Sequence, residues 1–344
     1  MKVGIVGCGQ AGEFHFNAWR SIGIPIAAVC DANKDTAMQA AEKWKIPLYY
    51  TELSKMLQSE NLFAISICSP PQFHADQAIE ALRSDCHVVV EKPFTVTTKE
   101  ADKVMNVLQG SSPKLTVIHN QLFEPSILHA MKQIKTGAIG QVIGMNVGLL
   151  HSKDERMAAN KNHWCHKLPG GRFGEILPHP VYLLQAVLGN LEVKSVFVDK
   201  LADCPWMPFD DLRVVLEADG KFGTIHTSFN VSGSNRVNVY ADIYGTNGTL
   251  HAGIYPISSL IAAKPGRGFW LGENIIYQVK IGLTYIGMLL KRRKIWGFSP
   301  SHALIIKSSV KSILDNEELP VTPEMGYEHV RIVEEICKQI ERAA

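Results

Sequence analysis

Apolar residues follow two different rhythms along this chain of 344 residues, and the change falls near residue 122. Before it, short apolar runs near 2–6, 26–30, 63–68, 87–91 and 115–119 are separated by stretches of helical periodicity near 11–22, 34–44, 72–84 and 98–109. A short strand, Leu48 to Thr51, and a short helix, Glu52 to Gln58, intervene. Apolar runs of this kind are strands buried on both faces, and their separation by helices predicts a parallel sheet with helices on both sides. Thr97 and Glu100 have capping-box spacing at the start of one helix.

After Pro125 the pattern predicts a helix over Ile127 to Ile134, a strand over Val142 to Leu150, an irregular polar stretch to Gly171 and a helix to about Leu188. Strands then follow one another at 193–200, 211–218, 221–229, 236–244 and 248–254, with hairpin turns at Asp219-Gly220 and Thr246-Asn247-Gly248. Strands in succession imply an antiparallel or mixed sheet. The expected fold is an α/β Rossmann domain over 1–122 and an α+β domain over 123–344, the latter with a large open, predominantly antiparallel sheet. Too few helices remain to cover both faces of that sheet, so an apolar uncovered face predicts a homo-oligomer.

The first strand, Lys2 to Val6, runs into Gly7-Cys8-Gly9-Gln10-Ala11-Gly12, and helical spacing (Phe14, Ala18, Trp19, Ile22) follows. Glycines there permit a tight turn, close approach of backbone to a pyrophosphate and close packing of a helix whose N-terminus faces the phosphates. The second strand ends in Asp31, about 20 residues past the glycines, where a carboxylate accepts from a ribose 2′-hydroxyl and repels a 2′-phosphate. The expected cofactor is therefore NAD rather than NADP, and the bland alternative is a glycine turn with Asp31 capping the next helix. Lys92 follows the run His87 to Glu91, at the end of a strand where open α/β sheets bind ligands. Moving a hydride to or from a C–OH carbon requires a group that takes or returns the hydroxyl proton, and Lys92 is the candidate unless it is a solvated surface lysine.

Composition narrows the class. With 46% hydrophobic and 20% charged residues the chain is an ordinary globular protein, and a net charge of +2 supplies no field for nucleic acid. Seven scattered cysteines without CxxC spacing suit a reducing cytosol, and the chain enters its first strand with no basic leader, so a cytoplasmic location is expected.

These stretches resemble the Gfo/Idh/MocA group, named for glucose-fructose oxidoreductase, inositol dehydrogenase and rhizopine catabolism. The resemblance rests on Gly7 to Gly12 with His15, Cys68-Ser69-Pro70-Pro71-Gln72-Phe73-His74, Glu91-Lys92-Pro93, Asn120 with Phe123 and Pro125, Gly137-Ala138-Ile139-Gly140, Gly170-Gly171 with Glu175 and His179, and Leu319-Pro320-Val321-Thr322. It implies an NAD(P)-carrying first domain and a second domain that completes the substrate pocket and often mediates oligomer contacts. Members mostly oxidise or reduce a hydroxyl-bearing carbon of a sugar, polyol or sugar derivative. By the same resemblance Ser69, Pro70, His74, Glu91, Lys92 and Asn120 join the cofactor site, and Lys92 and His179 sit beside the nicotinamide.

Glu175 stands where the family usually has Asp, and is expected either to bind substrate hydroxyls or to orient His179. Pro178 and Pro180 put a helix start near 178–180, so Glu175 and His179 need not share a helical face. Leu122 replaces a common arginine, and Arg172 is a candidate compensating contact. Trp164 is a candidate platform for a sugar ring. His163-Trp164-Cys165-His166 lacks the separated spacing of a zinc site, and no metal is expected.

Ile275 to Phe298 holds a ten-residue apolar run too short to span a bilayer, followed by Lys291-Arg292-Arg293-Lys294. An ordinary packing helix with a solvated basic end is the plain reading; contact with an anionic membrane surface, a partner or a diphosphate-bearing substrate is the alternative. The leading functional expectation is an NAD(H)-dependent oxidoreductase of sugars, polyols or nucleotide sugars, with Lys92 as acid/base, His179 assisting and Glu175 positioning hydroxyls. The rivals are an NAD-dependent glycoside hydrolase that works by transient oxidation, and a dinucleotide-sensing regulator without chemistry.

Overall fold

A computed structural model describes residues 1–201, 204–231, 238–255, 258–263, 271–290 and 299–343. They form two units, one of Met1–Asn120 with the described residues of 292–330, the other of the described residues of 121–291 and 331–343.

In the first unit, β1 (Val3–Val6), α1 (Gln10–Ser21), β2 (Ile26–Cys30), α2 (Lys34–Trp44), β3 (Leu48–Tyr50), α3 (Leu53–Ser59), β4 (Ala64–Ile67), α4 (His74–Arg83), β5 (His87–Val90), α5 (Thr98–Leu108) and β6 (Leu115–Val117) alternate. The sheet order is β3-β2-β1-β4-β5-β6, every pair parallel. Val3, Ile5, Val29, Ile65, Ile67, Val88 and Val90 are fully buried, which is why these strands read as unbroken apolar runs. The order reverses between β1 and β4, and that switch point opens a crevice at the carboxyl ends of both strands. The capping box forms at α5, where Thr97 Oγ1 accepts the Glu100 N–H at 3.3 Å and Glu100 Oε2 accepts the Thr97 N–H at 3.0 Å.

The second unit contains α6 (Pro125–Lys135), β7 (Val142–Leu150), α7 (Arg156–Ala159), α8 (Arg172–Ile176), α9 (Pro178–Leu188), β8 (Glu192–Asp199), β9 (Asp211–Ala218), β10 (Lys221–Ser228), β11 (Asn238–Gly245), β12 (Gly248–Tyr255), β13 (Ser259–Ala263) and α10 (Leu271–Leu290). Its sheet runs β13-β12-β11-β7-β10-β9-β8, antiparallel except for the parallel pair β7 and β10. Asp219 and Gly220 turn the β9–β10 hairpin with φ of 50° and 75°, the two positive angles a tight hairpin needs. Helices α9 and α6 pack on one face. The opposite face carries Phe197 and Phe222, 60% and 57% exposed, beside a polar patch in which Asn146 bonds Thr224 and Tyr244. Strand β13 was not anticipated from the pattern. The basic run 291–294, Trp296 and Phe298 lie outside the described residues.

The chain returns to the first unit late. Helix α11 (Pro300–Leu314) packs on α1, and Thr116 Oγ1 donates to the Val321 carbonyl at 2.9 Å. Helix α12 (Pro323–Ala343) begins in the first unit, and its residues from 331 onward count with the second. The boundary expected at 122–123 lies close to the division after Asn120, and the described residues of 299–330 group with the first unit. An amphipathic pattern shows that a helix has an apolar stripe; it does not show which sheet the stripe covers.

Candidate active site

Each glycine of the first loop meets a different steric demand. Gly7 leaves β1 with φ +88°, and a Cβ there would lie 2.5 Å from the Ser69 nitrogen; a Cβ on Gly12 would lie 2.2 Å from the Gly7 carbonyl oxygen. A Cβ on Gly9 would meet nothing within 4 Å. Gly9 is also the N-cap of α1 and offers the first-turn amides no side-chain acceptor. Asp31 closes the loop from the side: Oδ2 accepts the Cys8 N–H and Oδ1 the Asn33 N–H, both at 2.9 Å. Burial, followed by the Asp31 charge, pushes the Cys8 thiol up to about 12, so this cysteine is an inert neutral group. Open backbone, uncapped amides and an adjoining carboxylate fit a dinucleotide's pyrophosphate and ribose.

Behind this loop lies a set of buried histidines. His74 places Nε2 2.8 Å from the Ser69 carbonyl and Nδ1 2.8 Å from the Pro93 carbonyl, tying the turn after β4 to the one after β5. Burial holds its pKa below the ordinary histidine value, against the opposing pull of those carbonyls. Glu91 Oε1 accepts from His15 Nε2 at 3.0 Å and from His302 Nε2 at 3.1 Å, while Oε2 accepts the Lys92 N–H at 3.1 Å. Burial opposes ionisation of Glu91, but the two histidine hydrogen bonds outweigh it and hold the carboxyl well below the usual range. His15, fully buried, is itself held low, by burial first. The donor atoms of His15, Glu91 and His302 lie within 4.8 Å of one another, a closeness their mutual hydrogen bonds account for.

Lys92 is half-buried at the carboxyl end of β5, and its peptide bond to Pro93 is cis. Its ammonium acts on His329, which burial and then the Lys92 charge push down to about 3. His329 packs edge-on against His119, ring centroids 5.1 Å apart.

Three side chains expected to touch the cofactor have partners inside the unit. Ser69 Oγ donates to Gln77 Oε1 at 2.6 Å, His74 bridges two loops, and Glu91 is shared between two histidines and the Lys92 backbone. A buried carboxylate or imidazole must find partners, and here the protein interior supplies them. Pro70 precedes the short turn Pro71–Phe73, and Asn120 opens the turn Asn120–Phe123.

In the second unit Glu175 and His179 fall on two consecutive short helices, α8 and α9, with only Leu177 between them. Arg172, 4% exposed, is bonded by Glu175 Oε2 and, at 3.2 Å, by Glu155 Oε2, and its guanidinium lies 5.2 Å from the centre of the Phe229 ring. Arg172 and Glu175 were expected to reach substrate. A guanidinium taken out of water requires carboxylates beside it, and Glu175 and Glu155 meet that requirement. Burial would raise the Glu155 pKa, but the Arg172 charge and the amides of Met157 and Ala158 keep it low.

His179 Nδ1 lies 2.8 Å from the Tyr182 hydroxyl, whose oxygen also accepts the Gln121 N–H at 3.1 Å. Trp164 sits in the one-turn helix Trp164–Lys167, its ring 5.3 Å from that of His163. Leu122 packs on the unit's core. A cleft is lined by His166, Arg172, Trp206, Met207, Phe209 and Glu341, and includes neither Trp164 nor His179. The sequence reading missed His302, Glu155 and Tyr182. Only Tyr182 had a local signal, three residues past His179 on one helix.

Fold and loop define a dinucleotide-binding α/β protein with an appended mixed-sheet unit. Residues 1–119 match the oxidoreductase family with an NAD-binding Rossmann fold, and residues 127–251 match the Gfo/Idh/MocA C-terminal domain. The chain belongs to the Gfo/Idh/MocA family.

An oxidoreductase of Formosa agariphila is 25% identical over 195 residues, 55% of this chain and 61% of that protein, so the shared stretch is less than two thirds of the relative's length. Myo-inositol 2-dehydrogenase of Thermotoga maritima is 23% identical over 335 residues, covering 95% and 92% of the two chains. Among solved structures, the WlbA dehydrogenase of Bordetella pertussis in complex with NADH and UDP-GlcNAcA shares the fold, with a TM-score of 0.83 at 19% identity over 100% of this chain and 96% of that one. Among the described residues no helix is long and apolar enough to cross a membrane.

Proposed function

We propose that this protein is an NAD(H)-dependent oxidoreductase that moves a hydride to or from a hydroxyl-bearing carbon of a sugar, polyol or nucleotide sugar. The observation that carries this reading is the open backbone at Gly9, over the uncapped start of α1, in the same unit as Lys92 at the end of β5. The names of the relatives, an inositol dehydrogenase and a dehydrogenase held with NADH and a nucleotide sugar, support the substrate class.

Gly7, Gly9 and Gly12 let the backbone and the α1 amides take the pyrophosphate, and the Asp31 carboxylate takes the ribose hydroxyls and disfavours a 2′-phosphate. When bound, the nicotinamide supplies the hydride chemistry. Lys92 Nζ takes the hydroxyl proton in oxidation and returns it in reduction. His74 and Glu91 hold the Lys92 loop, and His179 is a proposed substrate contact. Arg172 and Glu175 shape that unit from inside. The sheet face bearing the exposed Phe197 and Phe222 supports a homo-oligomer, and seven free cysteines support a cytoplasmic location.

The test is fluorescence titration with NADH and NADPH, followed by turnover on a panel of polyols, sugars and nucleotide sugars. Tighter NADH binding is expected. Lys92→Met should lower turnover by at least about 10²-fold while NADH affinity stays nearly intact. Comparable turnover in that variant would overturn the assignment.

A further inference from the structure

We propose that α10 is an interfacial helix, which lays an outward-facing apolar stripe on an anionic lipid surface with the help of the basic run that follows it. The stripe arises because α10 is turned the opposite way from an ordinary packing helix. Two of its polar side chains face the protein: Asn274 Oδ1 accepts the Ala262 N–H at 2.8 Å, Asn274 Nδ2 donates to the Ala262 carbonyl at 3.3 Å, and Gln278 Nε2 donates to the Leu260 carbonyl at 3.0 Å. These bonds satisfy backbone groups of β13, the end strand of its sheet among the described residues, and Asn274 and Ile281 are buried on that side. The helix is thus fixed to the unit through polar groups, and its apolar residues are left for the other side.

That other side carries Ile275, Ile276, Val279, Leu283 and Ile286, each 50–61% exposed. At about 100° per residue these five fall within one sector about 100° wide, so they make a continuous stripe and not a scatter of single apolar residues. A stripe of this kind marks a surface that another body covers. The charge pattern selects that body. From Ile275 to Phe298 the sequence has five basic residues, Lys280 and Lys291-Arg292-Arg293-Lys294, and no Asp or Glu, in a chain whose net charge is only +2. A second copy seated on the stripe would bring two such stretches together with no acid in either to offset them. An anionic lipid surface offers both an apolar layer for the stripe and opposite charge for the basic run. Asn274, Gln278 and Lys280 interrupt the helix, which therefore lies on such a surface and does not cross it.

The test is co-sedimentation of the full-length protein with vesicles of phosphatidylcholine alone and of equal parts phosphatidylcholine and phosphatidylglycerol. Binding to the anionic vesicles should exceed binding to the neutral ones by at least about tenfold and weaken as salt is raised. Val279→Glu combined with Leu283→Glu should lower that binding by at least about tenfold, as should replacing Lys291, Arg292, Arg293 and Lys294 together by Ser, with unfolding temperature and NADH affinity recorded as controls. Equal binding to both vesicles, or none to either, would overturn the inference, and this comparison needs no variant to fold. Undiminished binding by the glutamate variant would overturn it as well. A concentration-dependent dimer that ignores vesicles and dissociates in the glutamate variant, read by analytical ultracentrifugation, would assign the stripe to a second copy and overturn the lipid reading.

Discussion

Glu91 accepts a hydrogen bond from His302 at 3.1 Å although 211 residues separate them in the chain. That bond joins the loop carrying Lys92 to helix α11 and completes the set of donors that keeps a buried carboxylate ionised. His302→Ala should leave Glu91 short of a donor and destabilise the protein by about 1.5–3 kcal/mol. Urea unfolding would register this as a lower midpoint at an unchanged slope, and His302→Gln, which keeps a donor, should recover part of the loss. A midpoint unmoved by either substitution would mean that the contact contributes nothing to stability.

Two glycines of one loop should respond in opposite ways to the same methyl group. Gly12→Ala places a Cβ against the Gly7 carbonyl, a separation of 2.2 Å that the backbone must relieve, and should destabilise the fold. Gly9→Ala meets only open space and should fold as the wild type does, yet lose NADH affinity by about tenfold or more because the backbone can no longer approach the pyrophosphate. Thermal unfolding and fluorescence titration of both variants separate the two effects.

Asp31 has two tasks, and Asp31→Asn bears on both. The amide oxygen can still accept the Cys8 N–H, but the amide nitrogen cannot accept the Asn33 N–H, so the loop loses one of its two bonds together with the charge that disfavours a 2′-phosphate. The ratio of NADPH to NADH affinity should rise by about tenfold, read by titration with each cofactor. An unchanged ratio would leave Asp31 as a structural acceptor alone.

His329 gives stability a pH dependence whose sign is fixed. Its folded pKa, about 3, lies below the ordinary 6.5, so between those values the unfolded chain binds more protons and stability rises with pH. The contribution is complete above about pH 6.5 and disappears as pH falls toward 3, at up to about 1.4 kcal/mol per pH unit. His329→Gln should flatten the fall in stability on the acid side. Denaturant unfolding in steps from pH 7 to about pH 5 measures the slope directly.

The strands and helices of the first unit were legible because each depends on a short stretch: an unbroken apolar run, a glycine turn, a capping pair at Thr97 and Glu100. Lys92 was legible for a similar reason, since its place at a strand end follows from the run before it. Other residues have partners that lie elsewhere in the chain and that no local pattern shows. Arg172 reads locally as a loop residue, yet Glu155 closes on it from 17 residues away, and Glu91 is bonded by His15 and His302 from distant parts of the chain.

The amino-acid sequence alone determined the order of elements, the parallel character of the first sheet, the glycine loop with its acid at Asp31, and the position of Lys92, because periodicity and turn chemistry act over a few residues. Only the tertiary structure decided that α11 returns to the first unit, that Glu91 is a held carboxylate, and that Tyr182 stands at His179. Those outcomes depend on which buried polar group meets which partner once the chain has closed on itself. The cost of leaving such a group unpaired selects the pairing in the folded molecule, and no local pattern carries it.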